Sequence, residues 1–154
     1  MEKIYAKPIS IKYLADIDPI EAAHKYEWVD LRCAEDTYLK KGEFKLIPLG
    51  VAMELPKGYE AIIAPRSSTF KKYHILQVNS IGVIDSKYCG DEDEWKMAVY
   101  AVEDTFIPKN DRICQFRIQQ VNPIIEFIEV DTLGNDNRGG FGSTGKSNII
   151  RKIK

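Results

Sequence analysis

Residues 79–90 read N-S-I-G-V-I-D-S-K-Y-C-G, and the rest of the chain is organised around them. The apolar residues of this stretch favour β-structure, and Gly82 can bring the backbone close to a ligand because it has no side chain. Asp85 follows the apolar run, and Tyr88 and the turn residue Gly90 come next. The pattern predicts a hairpin that could bind a flat polar molecule and activate a water beside it. A plain strand and turn with a surface aspartate fits this stretch about equally well.

The segments on both sides alternate apolar and polar residues, with turn residues between them, as short strands do. Asp18-Pro19-Ile20-Glu21 instead resembles a helix start, with an N-cap residue, a proline after it and a glutamate three positions beyond the cap. We predict a short helix from Asp18 to about residue 26. Many strands and little helix indicate an all-β sandwich or barrel. The predicted strands cover residues 9–14, 28–33, 44–55 (with a bend at Pro48 and Gly50), 60–64, 95–102, 113–121 and 124–130.

The composition narrows the class of protein. The chain has 154 residues, enough for one domain with a sizeable core, and its net charge of −1 argues against broad electrostatic binding to nucleic acid. No apolar run approaches the ~20 residues of a membrane span, and the N-terminus lacks the apolar core of a signal peptide. The cysteines, Cys33, Cys89 and Cys114, suit a reducing cytoplasm. His24 and His74 lie too far apart in sequence to suggest a zinc site.

The end of the chain differs in composition from the rest. From Leu133 it reads L-G-N-D-N-R-G-G-F-G-S-T-G-K, which is too rich in glycine and small hydroxyls to form a core. After Asp136 it contains no acidic residue but five bases. We therefore predict a β domain, residues 1–133, and a flexible C-terminal arm, residues 134–154, that closes over an anionic ligand.

Three segments have the composition of phosphate-binding sites. Residues 66–68, Arg-Ser-Ser, follow a predicted strand and offer a guanidinium, two hydroxyls and backbone N–H groups. Gln115 places a neutral amide on another strand. Residues 138–144 combine an arginine, glycines and two hydroxyls with Phe141, whose exposed ring could cover a planar base. Each segment is weak evidence alone, but together with residues 79–90 they favour a nucleotide site.

With these segments in this order, the chain resembles the trimeric dUTP pyrophosphatases (dUTPases). The resemblance spans nearly the whole chain, and it implies a jelly-roll-like β subunit, a distorted barrel or sandwich, with one short helix and a flexible C-terminal arm. The five matching motifs are W-V-D-L-R around Asp30, A-P-R-S-S at 64–68, N-S-I-G-V-I-D-S-K-Y-C-G at 79–90, D-R-I-C-Q-F at 111–116 and R-G-G-F-G-S-T-G at 138–145.

The activity implied by this resemblance is hydrolysis of dUTP to dUMP and pyrophosphate, which keeps uracil out of DNA and supplies dUMP. Asp85 is expected to deprotonate the water that attacks the α-phosphorus. Tyr88 is expected to stack under the sugar and leave no room for a 2′-hydroxyl.

The same resemblance implies roles for the other motif residues. Mg²⁺ is expected on the triphosphate oxygens, with Asp30 contacting its water shell. A homotrimer is expected, in which motifs two and four come from a neighbour of the chain that gives motif three. The uracil is expected to be read by Asn79, Gly82, Val83 and Ile84 and capped by Phe141, and the phosphates to be held by Arg66, Ser67, Ser68, Gln115, Arg138, Gly142, Ser143 and Thr144.

Some residues depart from the family's pattern. The first motif usually opens with alanine and glycine, whereas Glu27-Trp28-Val29 precede Asp30 here. In the fifth motif, Asp136 stands where the family's arginine is usual. Arg138 is therefore expected either to reach the γ-phosphate from a shifted register or to make a different contact. The acidic run at residues 91–94, followed by Trp95, is also atypical. We expect that run to be a solvated hairpin tip, and Trp95 to lie in the core or an interface.

Two other functions share this fold class. A dCTP deaminase should carry a glutamate about ten residues after the aspartate, but the positions from Trp95 to Ala98 hold no carboxylate. A non-catalytic regulatory binding protein would not need Asp85, Tyr88 and the phosphate-binding groups together. The sequence leaves open a protein partner of phage or host origin.

Overall fold

The computed structural model of this protein describes residues 6–22, 24, 27–143 and 145. Within them it contains eleven β-strands and one short α-helix, which confirms the predicted all-β class. The helix, α1 (Thr69–Tyr73), lies between the sixth and seventh strands. In chain order the strands are β1 (Ser10–Tyr13), β2 (Val29–Arg32), β3 (Thr37–Leu39), β4 (Phe44–Pro48), β5 (Val51–Glu54), β6 (Tyr59–Pro65), β7 (Ile75–Gln77), β8 (Gly82–Ile84), β9 (Lys96–Ala101), β10 (Thr105–Ile107) and β11 (Arg112–Gln120).

The strands pair antiparallel and form four small sheets. The largest sheet has the order β2-β11-β6-β8, and a three-stranded sheet has the order β4-β9-β7. Two ribbons, β1-β5 and β10-β3, complete the set. Strand β6 is interior to the largest sheet, because it pairs with β11 along one edge and with β8 along the other.

The sheets share one hydrophobic core. Trp95 is completely buried within it and packs edge-to-face on Phe116, with the ring centroids 5.1 Å apart. Trp95 is therefore a core residue, one of the two placements expected for it. Strand β9 shows why alternation predicted the strands, since every second side chain is buried. The core also contains the fully buried side chains of Leu31, Ile47, Leu49, Ile63, Ile75, Met97, Ile107 and Ile113.

The bend predicted within residues 44–55 is present. The segment forms two strands, β4 and β5, with Leu49 and Gly50 between them. Gly50 has φ = +71°, a left-handed conformation that glycine adopts without the steric cost of a Cβ. The bend moves the chain from the three-stranded sheet, which contains β4, to the ribbon that β5 forms with β1.

The helix predicted from Asp18 to about residue 26 is wrong in the part of that segment that the structure describes. Residues 18–22 and 24 are not helical, and 23, 25 and 26 lie outside the described residues. The groups expected to cap a helix make long-range contacts instead. The Asp18 carboxylate accepts a hydrogen bond from Asn110 Nδ2 at 2.8 Å, and the Glu21 carboxylate pairs with Arg112 at 2.7 Å. These tertiary contacts replace the local capping bonds.

The helix α1 was not predicted from the sequence. Its first residue, Thr69, is buried, and its hydroxyl accepts a bond from the Arg66 N–H and donates one to the Ile113 carbonyl, both at 2.8 Å. The helix ends at Tyr73, and the cap residue after it, His74, has φ = +53° and donates its N–H to the Phe70 carbonyl. A five-residue helix of this kind depends on tertiary bonds rather than on intrinsic propensity.

The strand predicted over residues 124–130 is wrong as a strand of this chain. The backbone there forms no strand, and the side chains of Ile124 and Phe127 are almost fully exposed. This segment reads I-I-E-F-I-E-V, so its apolar residues do not alternate with polar ones. A strand here would not have one apolar and one polar face. The chain divides into two compact units, Met1–Asn122 and Pro123–Lys154. The domain boundary placed after residue 133 stays a prediction.

Two findings bear on the predictions made from composition. No helix in the described part of the chain is long and apolar enough to span a membrane. Cys33, Cys89 and Cys114 are free thiols. Burial raises the pKa of the Cys33 and Cys114 thiols, so both stay protonated and pack as small apolar groups.

Substitution of Gly50 by alanine should destabilise the fold more than the same change at Gly58. Both glycines are left-handed, so each alanine should cost about 1–2 kcal/mol of backbone strain. A Cβ at Gly50 would also lie 3.1 Å from Ala15 Cβ and 3.2 Å from Ala34 Cβ, whereas nothing lies within 4 Å of one at Gly58. Overpacking should add roughly 1–3 kcal/mol at Gly50 alone. Urea unfolding at matched protein concentration measures the difference, and equal losses would contradict the steric argument.

Candidate active site

The largest sheet places two groups of the predicted site residues on one framework. The first, the Arg66 cluster, consists of Asp30, Arg66, Arg112 and Gln115, with Ser67 and Ser68 following Arg66 in the chain. The second, the Tyr88 loop, is residues 79–94. Strand β6 connects the two, because the Arg66 cluster lies at its carboxyl end and β8 of the Tyr88 loop pairs with its earlier residues.

Strand pairing and side-chain bonds assemble the Arg66 cluster. Gln115 on β11 lies opposite Asp30 on β2 and opposite Ala64 on β6. Its side-chain Nε2 donates to the Pro65 carbonyl at 3.0 Å. The Arg66 guanidinium donates to the Arg112 carbonyl at 3.1 Å, and its Nε lies 3.1 Å from Asp30 Oδ1. The structure therefore brings together residues from the first, second and fourth motifs.

The charges of the Arg66 cluster are matched within the chain. Asp30 and Arg66 are both about one-third exposed. Arg112 lies 3.9 Å from Asp30 Oδ2 but makes its closer contact with Glu21. The guanidinium groups of Arg66 and Arg112 are only partly exposed and are held in place by these contacts. They suit the binding of a polyanion, because its negative charges would meet donors that are already positioned.

The Tyr88 loop is not the hairpin that its sequence predicted. Strand β8 pairs with β6, whereas β7 and β9, the strands before and after it, pair with each other. Strand β8 therefore forms no hairpin, either across the turn at residues 78–81 or across residues 85–94. The prediction failed because alternation identifies strands but not their partners. The polar groups of the segment still lie at the edge of the largest sheet, where β8 is the terminal strand.

Gln77 supports this turn, and the sequence analysis missed it. Its side-chain Nε2 donates to the Ile63 carbonyl at 3.0 Å and to the Ser80 carbonyl at 3.3 Å. Gly82 packs closely on β6, since a Cβ there would lie 3.2 Å from Ile63 Cβ. Asn79, at the turn, is exposed, and its side-chain Nδ2 would lie 3.8 Å from that Cβ. No sequence signal marks Gln77, because it acts through backbone carbonyls.

Asp85 and Tyr88 form a closed turn beyond β8. Asp85 is exposed, its Oδ1 accepts the Lys87 N–H at 2.7 Å, and its carbonyl accepts the Tyr88 N–H at 3.0 Å. The Tyr88 hydroxyl donates to the Glu94 carbonyl at 2.8 Å. Burial raises the pKa of the Tyr88 phenol, and the Asp93 and Glu94 carboxylates raise it further, so the hydroxyl stays a donor. The run at residues 91–94, predicted to be a solvated hairpin tip, is therefore only partly free, because Glu94 is engaged.

One chain does not bring the Arg66 cluster and Asp85 together. Ile84 lies opposite Ala61, near the start of β6, whereas Arg66 follows its last residue, Pro65. Along an extended strand, Ala61 and Arg66 are about 16 Å apart. A water held at Asp85 is therefore too far from the Arg66 guanidinium of the same chain to share one phosphate group with it.

The donor groups fit a cation that is held mainly by substrate and water. No group of three or more His, Cys, Asp or Glu side chains is placed to hold a metal ion among the residues described. Asp30, the predicted contact of the Mg²⁺ water shell, already pairs with Arg66. Mg²⁺ commonly binds phosphate oxygens and keeps several waters, so one carboxylate acting through water is a sufficient protein contribution.

The second unit carries the fifth motif in consecutive tight turns. The Ser143 N–H donates to the Gly140 carbonyl at 3.1 Å, and the Gly145 N–H donates to the Gly142 carbonyl at 2.9 Å. Phe141 is fully exposed and has φ = +51°, which is unusual for a large side chain. Arg138 is exposed, and Thr144 lies outside the described residues. The Phe141 ring is exposed to solvent, whereas the Ser143 and Gly145 N–H groups are already bonded within the turns.

A family model described as dUTPase matches residues 28–145 of the chain. The chain is 57% identical over 138 residues to the SPbeta prophage-derived deoxyuridine 5′-triphosphate nucleotidohydrolase YosS of Bacillus subtilis (strain 168), covering 89% of this chain and 97% of that protein. It is 42% identical over 123 residues to the deoxyuridine 5′-triphosphate nucleotidohydrolase of Finegoldia magna, covering 76% of this chain and 83% of that protein.

Solved structures share the fold at lower identity. A point mutant of the dUTPase from phage phi11 of S. aureus, described with a coordinated structural Mg(II) ion, has a TM-score of 0.70 at 19% identity and covers 82% of this chain and 98% of that one. The dUTPase of Staphylococcus bacteriophage 80alpha with dUpNHpp has a TM-score of 0.70 at 24% identity and covers 92% of this chain and 100% of that one. This likeness confirms the jelly-roll-like β architecture.

Proposed function

The chain belongs to the dUTPase family, and from that premise we propose how its residues hydrolyse dUTP to dUMP and pyrophosphate. The protein is an enzyme, a dUTP diphosphatase, as the family model and the names of its relatives indicate. The observation that carries the residue assignment is the exposed Asp85 carboxylate, which lies beyond an edge strand in a turn closed by the bond from the Tyr88 N–H to the Asp85 carbonyl.

Asp85 acts as the general base. Its Oδ1 is engaged by the Lys87 N–H, which fixes the carboxylate and leaves the other oxygen to accept a proton from water. The water oxygen forms a bond to the α-phosphorus as the bond to the oxygen bridging the α- and β-phosphates breaks. Pyrophosphate leaves, and the proton of the water goes to Asp85.

The Tyr88 loop reads the base and the sugar. Strand β8 is the terminal strand of its sheet, so one of its backbone edges is available to pair with the uracil edge, together with the exposed Asn79 side chain. The residues of β8 that approach the base are Gly82, Val83 and Ile84. The Tyr88 ring lies under the sugar and leaves no room for a 2′-hydroxyl.

The Arg66 cluster holds the phosphates. The guanidinium of Arg66, the hydroxyls of Ser67 and Ser68 and the amide of Gln115 are the donors that face the triphosphate. Mg²⁺ bound with the substrate would supply charge neutralisation at the phosphates, and Asp30 is the residue that would contact its water shell.

The enzyme works as a homotrimer with sites shared between chains. The separation of about 16 Å along β6 keeps the Arg66 cluster of one chain away from its own Asp85. In a three-fold assembly the cluster instead serves the Asp85 of a neighbour. Each of the three sites then takes the Arg66 cluster from one chain and the Tyr88 loop from another. No site is complete within a single chain.

Exposed apolar surface supports assembly. In the second unit, Ile124, Phe127 and Leu133 are each more than four-fifths exposed, which is costly for a monomer. In the first unit, a groove of about 860 Å³ has an apolar lining that includes Ile9, Ile11, Tyr13, Trp28 and Ile118. Subunit contacts that cover such surfaces explain why they are apolar.

The C-terminal arm, which carries the fifth motif, closes over bound substrate. Arg138, Gly142, Ser143 and Thr144 contact the terminal phosphates, and Phe141 caps the uracil. The exposed glycines Gly139, Gly140 and Gly142 leave the backbone accessible to an anion, and closure over it excludes bulk water. The free thiols fit a reducing cytoplasm as the place of action. A deaminase activity is not favoured by the family or by the residues after Asp85.

Asp85→Asn should lower kcat by ~10²–10⁴, because the amide keeps the shape but cannot take the proton. Binding of dUMP should be nearly unchanged. Pyrophosphate release measures turnover, and calorimetry measures binding. Glu92→Gln, which removes an exposed carboxylate in the same loop, is the control and should be fully active. An Asp85→Asn variant with near wild-type turnover would show that another group is the base.

Two inactive variants should complement each other if sites are shared. Mixed trimers of Asp85→Asn and Arg66→Ala chains should regain about a quarter of the wild-type sites, because each site takes Asp85 from one chain and Arg66 from another. Pyrophosphate release is measured after the two are co-refolded in equal amounts. Activity no higher than that of the separate variants, or a monomer mass by light scattering at micromolar concentration, would refute the shared site.

Tyr88→Ala should remove most of the preference for dUTP over UTP, roughly a 10–100-fold change in the ratio of the kcat/KM values. Tyr88→Phe should still prefer dUTP and should lower the ratio by no more than about 5-fold, because the ring remains. The two ratios are measured under the same Mg²⁺ concentration. Undiminished discrimination in Tyr88→Ala would rule out the steric role of the ring.

Arg138→Ala should weaken a non-hydrolysable dUTP analogue by about 10-fold or more while leaving dUMP affinity nearly unchanged, since the guanidinium serves the terminal phosphates. Lys109→Ala is a control at an exposed base that lies outside the arm. Calorimetry gives both affinities. An equal loss for both ligands would place Arg138 elsewhere than at the terminal phosphates.

A further inference from the structure

Glu94 makes two contacts that the reaction described above does not use. Its carboxylate Oε2 accepts the backbone N–H of Gly50 at 3.0 Å. Its own carbonyl accepts the hydroxyl of Tyr88 at 2.8 Å. The residue therefore connects the bend between β4 and β5 with the ring expected to contact the sugar.

The Gly50 end of this connection is rigid. Gly50 is buried, and its left-handed backbone is enclosed by neighbouring side chains. The next residue along from Glu94 is the core residue Trp95, whose N–H donates to the Val51 carbonyl and whose carbonyl accepts the Leu49 N–H, both at 2.9 Å. Three hydrogen bonds thus fix residues 94 and 95 to the bend.

Tyr88 is held by one hydrogen bond at its backbone and by another at the hydroxyl of its ring. Its backbone N–H is bonded to the Asp85 carbonyl, and its hydroxyl is bonded to the Glu94 carbonyl. The side chain is still 38% exposed, so packing alone does not fix it. A ring with free rotamers could move aside for a 2′-hydroxyl, whereas a ring fixed at both ends cannot do so without breaking a bond.

We propose that Glu94 is a positioning residue that fixes the Tyr88 ring for discrimination between deoxyribose and ribose. The proposal rests on the sugar-contacting role of Tyr88 in the proposed function. Glu94 does not touch the substrate. It holds its own carbonyl where the Tyr88 hydroxyl can bond to it, and the carboxylate bond to Gly50 keeps that carbonyl in place.

The test compares kcat/KM for dUTP and UTP in the full-length enzyme. Glu94→Ala should lower the dUTP/UTP ratio by about 5-fold, mostly through faster UTP turnover. The reason is that it removes the bond between the Glu94 carboxylate and the Gly50 N–H, which holds the Glu94 carbonyl in place. Glu94→Gln should restore the ratio, since its amide oxygen can accept the Gly50 N–H. Glu92→Ala, in the same loop with an exposed side chain, is the matched control and should leave the ratio unchanged.

A double-mutant cycle separates positioning from general loss of structure. Tyr88→Phe removes the hydroxyl and should lower the ratio about as much as Glu94→Ala, and the double variant should show little further loss. Additive effects, or no change of the ratio in Glu94→Ala, would overturn the proposal. If Glu94→Ala does not fold, Tyr88→Phe decides, because an unchanged ratio there refutes the tether.

Failure of this proposal can be told apart from failure of the proposed function. If Tyr88→Ala loses discrimination while Glu94→Ala keeps it, the ring acts without the tether, and only the role of Glu94 is wrong. If Tyr88→Ala keeps discrimination, the assignment of Tyr88 itself is wrong, and the role of Glu94 is wrong with it.

Discussion

The pairing of β6 with a strand on each side is the constraint on which the arrangement of the site depends. Strand β11 fixes Gln115 and Asp30 near the carboxyl end of β6, and β8 fixes Asp85 near the amino end. Because a hydrogen-bonded strand has a set rise per residue, this spacing cannot be changed by a rotamer or a loop movement. The core packed against the sheet, with Ile63 completely enclosed, makes the spacing a property of the whole fold.

The sequence located the longer strands of the first unit well, missed the short strands β3, β7 and β10, and predicted strand partners poorly. Alternation reflects which side chains enter the core, so it located β2, β6, β9 and β11 within a residue or two. It carried no information on pairing, and residues 79–90 were therefore misread as a hairpin. The helix-like signal at Asp18 failed for a related reason, since its polar groups bond to Asn110, a residue distant in the chain.

The site residues divide in the same way. Asp85, Tyr88 and Arg66 could be named from the sequence because their side chains suit the proposed chemistry and their motifs resemble those of a known family. Gln77 and Glu94 could not, because each acts on or through backbone atoms that only the folded chain brings near. Asp30 was named with a role towards Mg²⁺, but its contact with Arg66 depends on the β2-β11-β6 register.

The fixed length of β6 has a consequence for newly synthesised chains. In the proposed assembly, a single folded chain carries both groups of site residues but has no complete site. A change in its own conformation does not bring the two groups together. Catalysis then begins only after chains meet, so its onset scales with the concentration of the protein and not with folding alone. A cell that makes a few copies gains almost no hydrolysis, and a defective chain that still assembles disables sites in its healthy neighbours.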